Sequence, residues 1–529
     1  KSKGTYYTPR EIVHYMCQES LINYLDTAIN TGEIPLVPTR PPQGKLLGKP
    51  DPQQAALKAP QYRVLVPREA IEEFVRKGEL TIEHDTRVVK HGTETKTYPY
   101  KLPESIRQNA KLVDDKLDNI RVCDPAIGSG AFPVGLMTEI VRARNTLTTY
   151  LADKEGRTNY IFKRHAIQNC LYGVDIDPGA VEIAKLRLWL SLVVDEEDIK
   201  QINPLPNLDY KIVCGNSLLG VERRLENWQL FNKLEELKPL YFDETNANKK
   251  QAYKSEIDGL INQITNNNEN FDFEVYFSEI FHGDNKGFDV VIANPPYIEA
   301  RGIQQKHVDT YRRLFKTAGN RVNTFAFFVE KGIELLNNER ILSFIIHRNS
   351  IRSNDYRKLR KFILDNTKIK NILSFKIGVF EEVTGEVVVL VLQKTKNNQG
   401  NTIKVDFLNN TITQEFNYTL LEQDVFNNLP DYRFNIYLNR SRIQVLDKMN
   451  KHHRLEEFAD VKQGIIVGNE KKYINTYQQS SRYKPILRGK NISRYRINFQ
   501  GEYLYYVPGT RILTRGKTED LFEIPEKKL

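Results

Sequence analysis

Short apolar runs rich in β-branched residues recur along this chain, and between them lie longer stretches with apolar positions at helical spacing. The runs fall at 119–124, 171–176, 210–214, 288–293, 341–347, 370–376 and 386–393. The clearest helical stretches are 131–147, 178–193 and 322–337. Strand–helix–strand alternation predicts a parallel sheet covered by helices. Upstream, 9–27 reads as a helix opened by Thr8-Pro9, a capping residue followed by proline at the first helical position.

Punctuation then divides the chain. Residues 30–60 are rich in Pro, Gly and Lys, and 61–115 combine a helix at about 68–77 with short strands, so 30–115 reads as an insertion. That leaves 1–29 as an N-terminal helix of the α/β core and 116–395 as the core itself. Residues 222–270 are charged and Asn-rich, which predicts a helical excursion on the surface. The polar stretch 394–402 reads as a domain boundary, followed by a linker over 396–440. Residues 441–529 show short strands and turns, with basic and tyrosine side chains interleaved. Arg482, Lys484, Arg488, Lys490, Arg494, Arg496, Arg511 and Arg515 alternate there with Tyr473, Tyr477, Tyr483, Tyr495, Tyr503, Tyr505 and Tyr506. That mixture suits phosphate contact and groove reading; the competing interpretation is an ordinary solvated β face.

The totals narrow the class. The chain has 529 residues and a net charge of +10, enough length for two to four domains and a balance that favours an anionic partner, nucleic acid first. Cys17, Cys123, Cys170 and Cys214 lie far apart with no Cys-x-x-Cys pair, so neither a metal site nor a disulfide framework is expected. Cys123 and Cys214 sit in apolar runs and read as core. Free thiols, no signal peptide and no run of membrane-spanning length point to the cytoplasm, away from membranes. The chain opens without Met, and its last residues read as a pattern cut short, as in a fragment of a longer protein.

Chemistry concentrates at the ends of the predicted strands. After 119–124 comes Asp124-Pro125-Ala126-Ile127-Gly128-Ser129-Gly130, a glycine turn leading into a helix whose N-terminus favours an anion. It lacks the third glycine of the dinucleotide fingerprint, which disfavours NAD; a carboxylate fits as well as a phosphate. The next strand ends in Asp175-Ile176-Asp177, acids able to hold two ribose hydroxyls or merely to cap the following helix. The run 210–214 ends in Gly215-Asn216-Ser217, where Asn216 can bond an adenine edge. The run 288–293 stops in Asn294-Pro295-Pro296-Tyr297. Two prolines end both strand and helix, leaving a rigid loop whose Asn amide oxygen and Pro carbonyl are two acceptors aimed at one point. Such a pair suits an amino group about to be methylated; the bland alternative is a strand followed by a proline turn.

Taken together and in this order, these segments resemble the S-adenosylmethionine-dependent N6-adenine DNA methyltransferases of the gamma arrangement. Thr5-Tyr6-Tyr7-Thr8-Pro9 resembles the family's N-terminal cofactor motif, residues 124–130 its glycine motif with Ile127 in place of Cys, and Asn294-Pro295-Pro296-Tyr297 its catalytic motif. Phe273–Phe281, the 341–346 strand and Arg357-Lys358-Leu359-Arg360 resemble the methylase portion of type IIG restriction–modification enzymes. Pro485–Ile492 resembles the start of a target-recognition domain, which 441–529 then begins. His347-Arg348-Asn349-Ser350 and Asn216 depart from the family, which often has Pro-Asn and Asp there.

The resemblance implies a Rossmann-like, doubly wound α/β sheet with a helical insertion and a C-terminal, β-rich recognition domain. It implies S-adenosylmethionine as cofactor and double-stranded DNA as partner, and leaves open a fused nuclease domain outside this chain. Cofactor contacts are implied for Tyr7, Thr8, Pro9, Asp124, Ala126, Gly128, Gly130, Asp175, Ile176, Asn216, Ser217 and Asn294. Catalysis is implied for Asn294, Pro295, Pro296 and Tyr297, with Phe380 as a second ring on a flipped base. No cysteine follows a proline, so the nucleophile of cytosine-C5 methylation is missing. Three other readings share parts of the pattern: a glutamine-N5 protein methyltransferase, a guanine-N2 RNA methyltransferase, and a non-catalytic DNA-recognition module.

Overall fold

The computed structural model describes residues 8–30, 64–82, 101–194, 208–220, 228–244, 246–265, 271–281, 286–319, 322–375, 386–408, 418–453, 457–458, 466–467, 470–494, 496–506 and 521–522. They divide into two compact units, Lys1–Tyr437 and Leu438–Leu529.

The first unit is built on a nine-stranded sheet of β1 (Val122–Asp124), β2 (Leu171–Asp175), β3 (Ile212–Cys214), β4 (Phe288–Ala293), β5 (Leu336–His347), β6 (Thr367–Phe375), β7 (Val387–Lys394), β8 (Thr402–Leu408) and β9 (Thr419–Glu422). Their order is β3-β2-β1-β4-β5-β7-β6-β8-β9. Strands β3, β2, β1, β4 and β5 are parallel. The order reverses between β1 and β4, so a crevice opens there at the carboxyl ends of the strands. β4 is buried at every position except Asp289, and β7 at every position except its last, as befits strands covered on both faces.

Two expectations are corrected. The sheet is not wholly parallel, because β7 enters between β5 and β6 and runs antiparallel to both. A parallel return needs a crossover of about a dozen residues or more, and the stretch from Phe375 to Val387 is too short for one. Residues 396–440 are not a linker: β8 extends the sheet beside β6, β9 closes its edge, and the first unit runs to Tyr437. The hydrophilic break at 394–402 connects β7 to β8, which lie on either side of β6 in the same sheet.

The helices that matter for the site are α1 (Arg10–Asn30), α2 (Arg68–Lys77), α3 (Ala131–Thr148), α4 (Pro178–Val193), α5 (Gln305–Leu314), α6 (Thr324–Leu335) and α7 (Arg357–Asn366). Among the described residues of 61–115 the elements are helical, without the short strands expected there. Residues 228–265 form two helices packed on each other.

α1 is buried nearly throughout, polar residues included. It packs against α2, α3, β4 and β5. Ser20, Asn23 and Thr27 return hydrogen bonds to carbonyls of their own helix, at 2.7, 2.8 and 3.0 Å, which lowers the cost of burying them. Glu19 is paired with Arg76 of α2 and accepts from Asn371 of β6 at 2.8 Å. This seam clamps the helix to the sheet. Removing one partner of a buried pair strands the other charge, so Arg76→Met should cost about 3 kcal/mol, read as a lower thermal unfolding midpoint. An unchanged midpoint would show that the bonds from Asn371 and Asn23 suffice for Glu19.

In the second unit, Tyr503–Tyr505 is the centre of a three-stranded antiparallel sheet between Ile474–Asn475 and Tyr483–Pro485. Arg488 is held there by Glu502 at 2.7 Å and Glu470 at 2.9 Å. Of the interleaved cations it therefore serves the unit's own cohesion; Arg511, Arg515 and Tyr495 lie outside the described residues.

Candidate active site

The crevice between β1 and β4 is a cavity of about 600 Å³. Thr8, Ala126, Gly128, Asp175, Ile176, Asn216, Ser217, Asn294 and Pro296, all singled out from the sequence, line it. They come from five separate stretches of chain that converge because β1, β2, β3 and β4 are neighbours in the sheet.

The glycine turn is held from three sides. Gly128 has φ +51°, and its amide donates to Asp175 Oδ2 at 2.8 Å. A Cβ added to Gly128 would meet nothing within 4 Å, so the missing side chain leaves room for a ligand. Arg187 of α4 donates to Ser129 through the carbonyl oxygen at 2.9 Å and Oγ at 3.0 Å. Ile127 fills the space above Gly173 of β2, where a Cβ would lie 2.2 Å from its Cδ1. That glycine makes room for an isoleucine in place of the family's smaller cysteine.

Gly130 does not line the cavity. Its φ is +79°, and a Cβ there would come within 3.2 Å of Ala184 of α4, so this glycine lets α3 start against α4. Pro9 is likewise absent from the lining: its carbonyl accepts from Ile12 and Val13 at 3.1 Å each and starts α1.

Two carboxylates hold the glycine turn, of which Asp175 lines the cavity and Asp124 does not. Asp124 is wholly buried, and its Oδ1 accepts from the Ala126 amide at 3.0 Å. Its Oδ2 has no hydrogen-bond partner. Burial pushes this carboxyl well above the ordinary carboxylate range, and Asp175 pushes it further in the same direction. A buried oxygen without a partner is an acceptor awaiting a donor such as an ammonium group. Asp175 accepts from Asp177 N at 2.9 Å through its other oxygen, while Asp177 caps α4 by accepting from Gly179 N at 3.0 Å. The capping alternative thus belongs to Asp177, and Asp175 is the acid in the cavity wall nearest the glycine turn.

The far wall suits a flat heterocycle. Ile176 is 64% exposed at the cavity edge, an apolar side chain with one face uncovered. Asn216 Oδ1 accepts from Leu218 N at 3.0 Å and its Nδ2 donates to Tyr311 Oη at 3.3 Å, which fixes the amide plane. Ser217 is turned inward, donating to the Pro125 carbonyl at 2.6 Å. Asp175 suits vicinal hydroxyls, Ile176 and Asn216 suit an adenine-like ring, and the start of α3 at the glycine turn suits a carboxylate. These features fit a nucleoside-linked amino acid.

The Asn-Pro-Pro loop has few backbone donors of its own, so its neighbours hold it. Thr324, at the start of α6, donates its hydroxyl to the Pro296 carbonyl and accepts from Ile298 N at 3.1 Å. Among the described residues nothing donates to the Pro295 carbonyl. Asn294 Nδ2 donates to Thr8 Oγ1 at 3.2 Å, joining the start of α1 to the end of β4. Tyr297 does not line the cavity: its hydroxyl donates to the Ile345 carbonyl at 3.0 Å, and its ring stands edge-on to Phe325 and His347. Pro295 is also absent from the lining. Tyr7 and Phe380 lie outside the described residues.

Sequence reasoning passed over Tyr311, Thr324 and Arg187, which orient Asn216, the proline loop and the glycine turn. Only Asn323-Thr324 carried a signal, as a helix start. Cys214 also differs from expectation: it ends β3 exposed, whereas Cys123 is buried.

Residues 169–380 match the Eco57I restriction-modification methylase family. A Methanocaldococcus jannaschii protein named as a type II restriction enzyme and methyltransferase is 26% identical over 528 residues, covering 80% of this chain and 44% of its own length. The Escherichia coli type II restriction enzyme and methyltransferase RM.Eco57I is 25% identical over 322 residues, covering 58% of this chain and 28% of its own length. The Geobacillus stearothermophilus type II methyltransferase M.BstVI is 32% identical over 186 residues, 35% of this chain and 30% of its own length. The chain spans less than half the length of each of these relatives.

Proposed function

We propose, from the premise that this chain carries an Eco57I-type restriction-modification methylase domain, that it methylates N6 of adenine in DNA. The observation that carries the reading is the Asn294 amide in the wall of a cavity whose groups suit a nucleoside-linked amino acid, followed in sequence by a Pro295 carbonyl to which nothing donates among the described residues. When bound, S-adenosylmethionine supplies an electrophilic methyl group on a sulfonium.

The chain's own residues do the rest. Asp175 holds the ribose hydroxyls, Asn216 the adenine edge, Ile176 one ring face, and Asp124 the ammonium group. An adenine inside a duplex is out of reach, so the target base is flipped out. Its N6 lone pair is delocalised into the ring and weakly nucleophilic. Asn294 Oδ1 and the Pro295 carbonyl accept the two N6 hydrogens, draw the nitrogen towards tetrahedral geometry and stabilise the positive charge that develops on it. Transfer is then direct and in line, favoured by positioning, with no covalent enzyme intermediate. Tyr297 stacks on the flipped base, a contact worth about 1–3 kcal/mol, with Phe380 as the second ring.

We further propose that Thr8 keeps the Asn294 amide turned with its oxygen towards the substrate, since a flipped amide would present donors to a donor. Thr8→Val should lower kcat about tenfold, the loss of one hydrogen bond of about 1 kcal/mol or slightly more, with Thr8→Ser restoring it. A change confined to cofactor affinity would assign the hydroxyl to the cofactor instead.

The test of the whole reading is incubation of unmethylated DNA with the full-length protein and S-adenosylmethionine, followed by single-molecule sequencing. N6-methyladenine in a fixed sequence context supports it. Methylation of RNA or of a glutamine side chain, with none on DNA, overturns it. Two relatives are named as restriction enzymes as well, and we place any nuclease outside this chain. A restriction–modification role in the cytoplasm completes the reading; no described helix is long and apolar enough to cross a membrane.

A further inference from the structure

α7 carries a basic face apart from the methyl-transfer cavity. Arg357, Lys358 and Lys361 are exposed on it and, with the exposed Lys316, line a separate groove of about 520 Å³. The groove's floor is a strained corner. Asp431 and Tyr432 both have φ +55°, a conformation that side-chain-bearing residues rarely adopt and that needs outside support. The support is Arg360, which is fully buried. Its guanidinium donates to the Asp431 carbonyl at 2.9 and 3.2 Å, to Ser350 O at 2.8 Å and to Ser353 O at 2.7 Å. The corner lays the Tyr432 ring between two cations, with Arg357 and Lys361 each 5.5 Å from its centroid.

The electrostatics are one-sided. The groove's lining holds four cations and one acid, Asp365, which is paired with Lys361. Another acid at its edge, Asp431, sits between Arg357 at 3.8 Å and Arg433 at 3.7 Å. Cations gathered at a solvated groove repel one another unless an anion lies across them. The groove is also close to the catalytic loop: Tyr297 meets Phe325 at 5.9 Å between centroids, Phe325 meets Tyr356 at 5.0 Å, and Arg357 is the next residue.

We propose that this groove seats the DNA phosphate backbone beside the flipped nucleotide, with Lys316, Arg357, Lys358 and Lys361 on the phosphates and Tyr432 holding the cations in place. The inference rests on the DNA reading and adds a contact surface within the catalytic unit, outside the basic, tyrosine-rich second unit.

The test uses the full-length protein and a short duplex of random sequence, since non-specific binding is governed by phosphate contacts. Binding is followed by fluorescence anisotropy across a salt series. In the double variant Lys358→Ala/Lys361→Ala, the slope of log K against log salt should become shallower by about 2, with weaker binding at every salt concentration. Cofactor affinity and kcat at saturating DNA should stay at the wild-type value while KM for DNA rises. Lys358→Arg/Lys361→Arg should keep the wild-type slope. A control pair, Arg107→Ala/Lys111→Ala, removes the same charge from a different cavity and should leave the slope unchanged. An unchanged slope in the Lys358/Lys361 variant, or an equal loss in the control pair, overturns the groove while leaving the methyltransferase reading intact. If the wild-type protein binds DNA with no salt dependence, both fall.

Discussion

Replacing Asn294 with alanine should abolish methyl transfer, by about 1,000-fold or more, while cofactor affinity is unchanged. The physical reason is that the amide oxygen acts only as charge develops on N6, so its loss falls on the transition state and leaves ground-state binding in place. The bonds that hold the glycine turn and Asp175 run through Ala126, Gly128 and Asp177 and not through the Asn294 side chain, which donates to Thr8 at 3.2 Å, so truncation leaves them in place. Asn294→Asp is the informative companion. It keeps an acceptor but adds a charge beside the Pro295 carbonyl and loses the N–H that Thr8 holds. Tritiated-methyl incorporation in single-turnover conditions reads both variants, with calorimetry on S-adenosylhomocysteine as the binding control. Turnover retained in Asn294→Ala would remove this residue from the chemistry.

The second large effect is expected at Asp175. Asp175→Ala should weaken cofactor binding about 100-fold, roughly 3 kcal/mol, from the loss of charge-assisted bonds to two hydroxyls. The same carboxylate receives the Gly128 and Asp177 amides, so its removal also loosens the glycine turn. Asp177→Ala separates these contributions, because Asp177 caps α4 without receiving the Gly128 amide. It should cost stability of about 1 kcal/mol and little affinity. Equal affinity losses in both variants would mean that helix α4, and with it Arg187 and Ser129, sets the cofactor site instead of the Asp175 carboxylate.

The basis for these expectations was unevenly visible in the sequence. β4 and α2 were legible because each is a local pattern: an apolar run stopped by prolines, and an amphipathic stretch with clear ends. Asp124, Gly128, Asp175, Asn216 and Asn294 were legible because each sits at the end of such a run. The polar seam of α1 was not, since buried Glu19 and Asn23 look like solvent-facing positions until Arg76 and Asn371 arrive from distant parts of the chain. β8 and β9 were hidden because a hydrophilic connection between two strands of one sheet has the composition of an interdomain linker. Tyr311, Thr324 and Arg187 were hidden for the opposite reason: their residue types are ordinary and only their partners make them matter.

What the sequence by itself determined is the alternation of strands and helices, the loop chemistry at each strand end and the excess of positive charge. These follow from periodicity, backbone sterics and composition, which act over a few neighbouring residues. Tertiary structure alone decided that β7 reverses direction, that Thr8 holds Asn294, that Asp175 rather than Asp177 faces the glycine turn, and that Arg360 props the strained corner under a basic groove. Each of those depends on which strand lies beside which, and strand order is set by burying two faces of one sheet, a property of the whole unit.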